Sequence, residues 1–146
     1  MPATAPNRRR AGALALALLF AVSAVRADVH ADLADVLATM TGALADDNPA
    51  AFLAAIDKKS PDYAKLSTYV TQLLQQGAVS SSVEFLKDEG SDTRRTVQLD
   101  WYLEIHTSGP LAQRRKVIDC VFEKQGRHWR IVSLSPSSFF APHNYE

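Results

Sequence analysis

The feature that most limits the fold of this sequence is a change in the spacing of its apolar residues at Gly77. Before Gly77 the apolar residues recur at helical spacing, and after it they alternate with polar residues, which is typical of strands with one buried face. Gly77 follows Gln75 and Gln76 at the end of the helical pattern, so we expect it to be the left-handed residue that terminates a helix. The sequence therefore predicts helices first and strands second.

Three helices are predicted in the first part of the sequence. The first runs from Asp28 to about Ala45, with an apolar stripe at Val29, Leu33, Val36, Leu37, Met40 and Leu44. The second begins at Asn48-Pro49, because asparagine is a favourable N-cap and proline fits the first helical position. The third follows Ser60-Pro61-Asp62, which carries a similar start signal, and is expected to end at Gly77.

Four strands are predicted after Gly77. The first alternates from Ala78 to Leu86 and is followed by a turn over residues 88–92. The second covers about 93–107, the third about 113–124 and the fourth His128–Ser135. Short turns between successive strands favour an antiparallel meander. We therefore expect an α+β fold with three helices packed on one face of a four-stranded antiparallel sheet.

The first 27 residues have the order of a secretory signal peptide. A basic patch at Arg8–Arg10 precedes an apolar run over residues 11–22, and small residues allow cleavage after Ala24 or Ala27. A retained membrane anchor is the alternative, but the run is shorter than the roughly 20 residues needed to cross a bilayer. We expect a single exported domain over residues 28–146, periplasmic or secreted, with no stable membrane anchor after cleavage.

Charge and cysteine content restrict the partners of such an exported domain. The signal would remove four of the 16 basic residues and none of the 16 acidic ones, so the remaining chain carries a net charge of about −4. A mildly acidic chain is not expected to bind nucleic acid, which needs concentrated Lys and Arg. Cys120 is the only cysteine, so no internal disulfide can form. It is expected to be a small buried apolar group, with a reactive thiol or an intermolecular disulfide as alternatives.

Three stretches of the sequence resemble the NTF2-like superfamily, which includes SnoaL-like polyketide cyclases and ketosteroid isomerases. Gly126-Arg127-His128-Trp129-Arg130-Ile131-Val132 is similar to the last strand of the family. The stretch Asn48–Leu53 is similar to the start of its second helix. The stretch Leu99–Ile105 is similar to its long central strand. The chain looks most like exported NTF2-like proteins without an assigned activity. The resemblance implies a cystatin-like cone with an apolar pocket between sheet and helices, and it implies no single function.

The pocket implied by the resemblance would be lined by apolar and aromatic residues. The predicted lining consists of Phe52, Tyr63, Phe85, Trp101, Leu103, Phe122 and Trp129. A pocket of this composition would bind a small apolar ligand. The alternative is that the same side chains fill the hydrophobic core.

The candidate catalytic residues are two strand carboxylates, Asp100 and Asp119, and two tyrosines of the third helix, Tyr63 and Tyr69. Isomerases of this kind need a carboxylate base and a donor that stabilises an oxyanion. The family tyrosine of helix one has no counterpart here. By strand alternation both carboxylates point away from the apolar face, so they are expected to be solvated or paired with a nearby cation. The charge run Arg114-Arg115-Lys116 is expected to be an exposed strand start.

No metal or cofactor site is predicted. The four histidines lack the close spacing of metal ligands, and neither a G-x-S-x-G nucleophile motif nor a glycine-rich phosphate loop is present. Two functions stay open. The first is a non-catalytic exported domain that binds a small apolar ligand or a protein partner, as a homodimer through the sheet face. The second is a SnoaL-like isomerase, cyclase or hydro-lyase with Asp100 or Asp119 as general base.

Overall fold

The structure is a computed structural model that describes residues 27–144. In this part of the chain three α-helices precede four β-strands. The helices are α1 (residues 27–45), α2 (Pro49–Leu53) and α3 (Tyr63–Gln76). The strands are β1 (Ala78–Gly90), β2 (Arg94–His106), β3 (Ala112–Gln125) and β4 (His128–Ser135), and a short 3₁₀ helix (Ser137–Phe140) follows.

The predicted signal peptide lies outside the described residues, apart from its last position, Ala27, which is in α1. Export and cleavage therefore stay predictions. Over residues 27–144, no helix combines the length and the apolar character needed to span a membrane.

The sheet confirms the predicted α+β fold. Its strand order is β1-β2-β3-β4, and every neighbouring pair is antiparallel, so it is the expected meander. Strand β4 pairs with β3 only over Asp119–Gln125. The first half of β3 therefore has no neighbouring strand on that side, and the 3₁₀ helix comes close to it at Arg114.

The inner face of β2 forms the centre of the core, as its alternation predicts. Five of its side chains have no exposed surface: Val97, Leu99, Trp101, Leu103 and Ile105. Helix α1 buries Leu33, Leu37 and Met40 on the same side, and α3 buries Leu66, Val70 and Leu73. Burial of this apolar surface, at roughly 25 cal/mol per Å², is the main force that holds helices and sheet together.

Helix α1 ends in a Schellman motif built without glycine. Asp47 has a left-handed φ of 54°, and its N–H donates to the Leu44 carbonyl at 3.3 Å. The N–H of Asn48 donates to the Ala43 carbonyl at 2.9 Å, which is the second bond of the motif. The Asn48 side chain then accepts from Ala51 N at 3.1 Å, so the predicted cap of α2 is present. One short turn thus ends α1 and begins α2.

Helix α3 ends at Gln76, directly before Gly77, as predicted, but Gly77 is not the left-handed residue expected there. Its φ of 165° and ψ of −172° are extended backbone. A Cβ at this position would lie 2.0 Å from the carbonyl oxygen of His106. Glycine is required here because α3 passes into β1 against the backbone of β2, and no side chain fits in that contact.

Strand β1 is longer than predicted. It continues through the expected turn to Gly90, and a bulge between Phe85 and Lys87 leaves Leu86 unpaired and 55% exposed. The bulge shifts the alternation by one residue, so Asp88 reaches the inner side of the sheet, opposite Val97. Alternation read from the sequence could not follow the strand past this extra residue.

Two glycine substitutions test the close contact at Gly77. Gly77→Ala is expected to lower the free energy of unfolding by about 2–3 kcal/mol, because the new Cβ would push the backbone at residue 77 away from the His106 carbonyl at the end of β2. Gly42→Ala is the matched control, since nothing lies within 4 Å of its Cβ and it sits in α1. The control should raise stability by about 0.5–1 kcal/mol. Urea unfolding measures both, and equal effects would contradict the close-contact explanation.

Candidate functional site

The residues predicted to line a pocket lie between the helices and the sheet. Phe52, Trp101, Leu103 and Phe122 have no exposed surface, and Trp129 is 5% exposed. The remaining two, Tyr63 and Phe85, are half-buried and pack against the same core. The structure thus brings the predicted set to one region of the fold, where its members contact other side chains.

Phe140 contacts two of these aromatic side chains. Its ring centroid lies 5.0 Å from that of Trp101 and 5.2 Å from that of Phe52, both edge to face. Phe139 lies 5.1 Å away in the same geometry. Such aromatic pairs contribute about 0.5–1.5 kcal/mol each beyond the area they bury. The sequence analysis missed this residue, although two adjacent aromatic residues soon after Pro136 are a signal that the chain returns to the core.

The C-terminal segment that carries Phe140 is fastened by hydrogen bonds. Arg114 donates to the carbonyl oxygens of Phe139 and Ala141 at 2.8 and 2.5 Å. Gln76 at the end of α3 donates to His143 O at 2.8 Å and accepts from His143 N at 2.7 Å. The expectation that Arg114 belongs to an exposed charge run is therefore wrong, because alternation turns it toward the helix side of the sheet. Burial lowers the pKa of its guanidinium.

Asp100 and Asp119 lie on the outer face of the sheet. Asp119 is exposed. The Asp100 carboxylate accepts from Arg115 Nε at 3.0 Å and from Arg115 Nη2 at 2.5 Å, a two-point ion pair across β2 and β3. This hydrogen bonding with Arg115 holds the pKa of Asp100 below its usual value. A carboxylate stabilised in this way is a weaker base at neutral pH than an unpaired one.

The outer face near Asp100 also carries a polar network. The Tyr102 hydroxyl donates to Glu104 at 2.7 Å, which lowers the pKa of Glu104 and raises that of Tyr102. His106 lies 3.4 Å from the same carboxylate, and both side chains share the face that alternation assigned to them. A shallow groove there is lined by Ser82, Glu84, Asp100, Tyr102 and Arg115.

Tyr63 and Tyr69 lie on the other side of the sheet from the two carboxylates. Both belong to α3 and are half-buried. Tyr63 packs against the core and borders a surface groove beside Leu53 and Arg130. The structure therefore does not bring either tyrosine together with Asp100 or Asp119, and the four candidates do not form one catalytic site.

A charged cluster that the sequence analysis missed lies at the end of the sheet near α1. Asp88 accepts from Arg95 Nε at 2.8 Å and lies 2.7 Å from His30 Nδ1. The Asp88 and Arg95 side chains are only 10% and 12% exposed. Arg95 also donates to the Gly90 carbonyl at 2.9 Å, and the His30 ring lies 4.4 Å from that of Phe85. The bulge in β1 hid this cluster, since unbroken alternation would place Asp88 outside.

The remaining predicted chemistry concerns Cys120 and metals. Cys120 is buried with no exposed surface, and this burial raises the pKa of its thiol well above the usual range. It therefore behaves as the small apolar group expected.

In the part of the chain that the structure describes, no three or more His, Cys, Asp or Glu side chains are grouped to hold a metal ion.

Solved structures with the same architecture identify the fold. A proposed scytalone dehydratase from Novosphingobium aromaticivorans is similar with a TM-score of 0.68 and 9% identity, covering 77% of this chain and 85% of that one. An NTF2-like superfamily protein from Salmonella enterica has a TM-score of 0.59 and 10% identity, covering 83% and 96%. An NTF2-like protein from Shewanella oneidensis has a TM-score of 0.55 and 11% identity, covering 72% and 95%.

These similarities define the chain as a protein with the NTF2-like α+β fold. The resemblance seen in the sequence is thereby confirmed at the level of the fold. No protein-family model matches the sequence, and no curated protein matches it either. At such low identities the likeness concerns architecture alone, and function has to be argued from the side chains of this chain.

Substitution of two adjacent arginines tests whether the cluster of His30, Asp88 and Arg95 stabilises the fold. Arg95→Gln is expected to lower the free energy of unfolding by about 3 kcal/mol, because it leaves Asp88 without its cation in a poorly solvated place. Arg94→Gln is the matched control, since Arg94 is 59% exposed and makes one surface ion pair with Glu123. The control should change stability by less than about 1 kcal/mol. Thermal or urea unfolding that gives equal losses would show that the cluster is not structural.

Proposed function

We propose that this chain is an exported, non-catalytic binding domain that acts as a homodimer through the outer face of its sheet. The observation that carries the non-catalytic part is the position of Phe140. Its ring packs edge to face against both Phe52 and Trp101, between helices and sheet, where the family resemblance implies a pocket. A pocket enzyme needs an accessible cavity with converging polar groups, and here that space contains the chain's own aromatic side chains.

The position of the carboxylates supports the same conclusion. Asp100 is on the outer face in an ion pair with Arg115, and Asp119 is exposed on that face. A general base must come within hydrogen-bond reach of the proton it removes. A substrate held among Phe52, Trp101 and Phe140 would be separated from both carboxylates by the sheet. Neither of the two bases considered for the isomerase, cyclase or hydro-lyase alternative, Asp100 and Asp119, is therefore in place.

One observation favours a second candidate, a small apolar ligand bound inside the fold. The indole Nε1 of Trp101 is buried without a hydrogen-bond partner among the described residues. Trp101 contacts Phe140, so movement of the C-terminal segment would open a space next to an unused donor. A ligand with an apolar body and one acceptor would fit such a space.

Benzene binding separates these two candidates. Wild-type protein is expected to show no saturable benzene-induced rise in Tm, because Phe140 fills the interior. Phe140→Ala should lower stability by about 3–5 kcal/mol and create an apolar cavity that binds benzene. Phe140→Leu is the matched control, since it keeps most of the volume. Saturable binding by the wild-type protein would favour the interior-ligand candidate over the proposal.

The outer face of the sheet supports the proposed dimer. Val117 on β3 is 46% exposed, and it stands opposite Asp100 on β2, next to Tyr102. Surrounding polar groups include the Tyr102–Glu104 and Asp100–Arg115 pairs. An apolar centre with a rim of polar groups is the common composition of a protein interface.

Light scattering on the mature protein at tens of micromolar is expected to give the mass of a dimer. Val117→Lys should shift this mass to that of a monomer, because a lysine would be buried at the centre of the interface. Leu111→Lys is the matched control, since Leu111 is 48% exposed in the β2–β3 connection and should leave the dimer intact. A wild-type monomer, or equal effects of both variants, would overturn the dimer.

The N-terminal residue of the protein recovered from cells tests the proposed export and cleavage. Cleavage after Ala27 would leave Asp28 as the first residue, and cleavage after Ala24 would leave Val25. Mass spectrometry of the intact protein distinguishes the two products. Recovery of the uncleaved chain from the cytoplasm would contradict the proposed export.

A further inference from the structure

Among residues 27–144, no strand lies on the side of β1 that faces away from β2, and we call this side the free edge of β1. Helix α1 contacts β1 near the end of the strand, where His30 lies 2.7 Å from Asp88. In the described part of the chain, the backbone of residues 78–84 forms hydrogen bonds with β2 only. The first half of β1 is therefore open to a further strand along its free edge.

The register of the sheet shows which residues of β1 face the free edge. The Lys124 N–H donates to the Thr93 carbonyl at 2.8 Å, so odd-numbered residues of β2 bond to β3 and even-numbered ones bond to β1. Before the bulge, even-numbered residues of β1 stand opposite even-numbered residues of β2. Val79, Ser81 and Val83 therefore direct their N–H and C=O groups to the free edge.

The sequence along this part of β1 reads the same in both directions. Residues 79–83 are Val-Ser-Ser-Ser-Val. If two copies pair antiparallel about a two-fold axis at Ser81, Val79 of one copy stands opposite Val83 of the other, and Ser80 opposite Ser82. Each outward-facing residue then donates and accepts one main-chain hydrogen bond. Cross-strand pairs of β-branched side chains on the inner face stabilise such a ladder further.

This part of β1 also lacks the features that keep edge strands of natural proteins apart. Residues 77–83 contain neither a charge nor a proline, and no bulge interrupts them. The first charged residue is Glu84, and the bulge follows between Phe85 and Lys87. The unprotected stretch of the edge therefore coincides with the self-complementary one.

The free half of β3 has the opposite composition. Strand β4 leaves residues 112–118 of β3 without a neighbour on that side, so an antiparallel pair of two such stretches would be centred on Arg115. Arg115 would stand opposite its own copy, and Arg114 opposite Lys116 of the other copy. Like charges directly opposite each other destabilise a strand pair. Of these two free edges, only that of β1 suits a second copy of the chain.

We propose that the free edge of β1 binds the same edge of a second copy, antiparallel about Ser81. The four strands of each copy then form one continuous sheet, and the helices of both copies lie on one side of it, because the two-fold axis is perpendicular to the sheet. This contact is distinct from the outer-face dimer and does not depend on it. Because the contact is small, it forms at higher protein concentration than a standard interface.

Amide hydrogen exchange of the mature protein tests the pairing, measured by NMR at tens of micromolar and at millimolar concentration. The N–H groups of Val79, Ser81 and Val83 should exchange at least about tenfold more slowly at the higher concentration, since each gains an acceptor. Those of Ser80 and Ser82 already bond to β2 and should exchange slowly at both concentrations. New protection at every second residue is the pattern that an added strand produces.

Charge substitutions on the outer side of β1 test where the pairing is centred. Ser80→Lys combined with Ser82→Lys places like charges opposite each other across the axis, so the concentration-dependent protection should be lost. Ser80→Lys combined with Ser82→Glu is the matched control, because each lysine then faces a glutamate of the other copy and the protection should remain. Both serines are exposed in the single chain, and an unchanged Tm of the dilute variants verifies that they fold.

Equal exchange of the three outward N–H groups at both concentrations would overturn the inference, and so would equal protection in the two double variants. The Arg115 N–H on the free half of β3 is the internal control, because slower exchange there as well would indicate unspecific association. Val117→Lys separates the edge contact from the outer-face dimer. The protection of β1 should persist in this variant, and its loss would show that the outer face is responsible.

Discussion

The contact of Phe140 with Trp101 and Phe52 joins three parts of the chain that are far apart in sequence. Trp101 belongs to the centre of the sheet, Phe52 to α2 and Phe140 to the segment after the last strand. Without Phe140 the layer between helices and sheet would contain a cavity the size of a phenyl ring. The adjoining bonds of Arg114 and Gln76 matter because they hold that segment in place. The same contacts therefore pack α2, the centre of the sheet and the C-terminal segment into one core.

Alternation along the strands assigns neighbouring identical side chains to different roles. Arg94 is exposed and Arg95 is nearly buried against Asp88, although they are adjacent. Arg115 forms an ion pair on the outer face, and its neighbour Arg114 binds carbonyl oxygens on the helix side. A charge run in a strand is therefore not one surface feature. Its two faces have to be considered separately.

The sequence was sufficient to predict element types, their order and the inner face of β2, because apolar periodicity reports directly which face is buried. It was insufficient where one residue changes the register or the backbone. The extra residue Leu86 moved Asp88 inward, and Gly77 proved necessary for a close backbone approach. The turn after α1 used Asp47 where glycine is usual. These features depend on the distance between elements, and a single sequence contains no record of that distance.

The candidate sites likewise include residues that the sequence could identify and residues that it could not. The sequence identified Asp100, Asp119 and the aromatic residues, and alternation placed the carboxylates on the correct face. It could not reveal the cluster of His30, Asp88 and Arg95, because His30 is distant in the chain and the bulge in β1 hides Asp88. Asp32 and Asp35 suit the first turns of a helix, so their positions have an ordinary explanation in the helix dipole. Asp88 has no such local explanation, because its place on the inner side depends on the bulge in β1 and on Arg95 of the neighbouring strand.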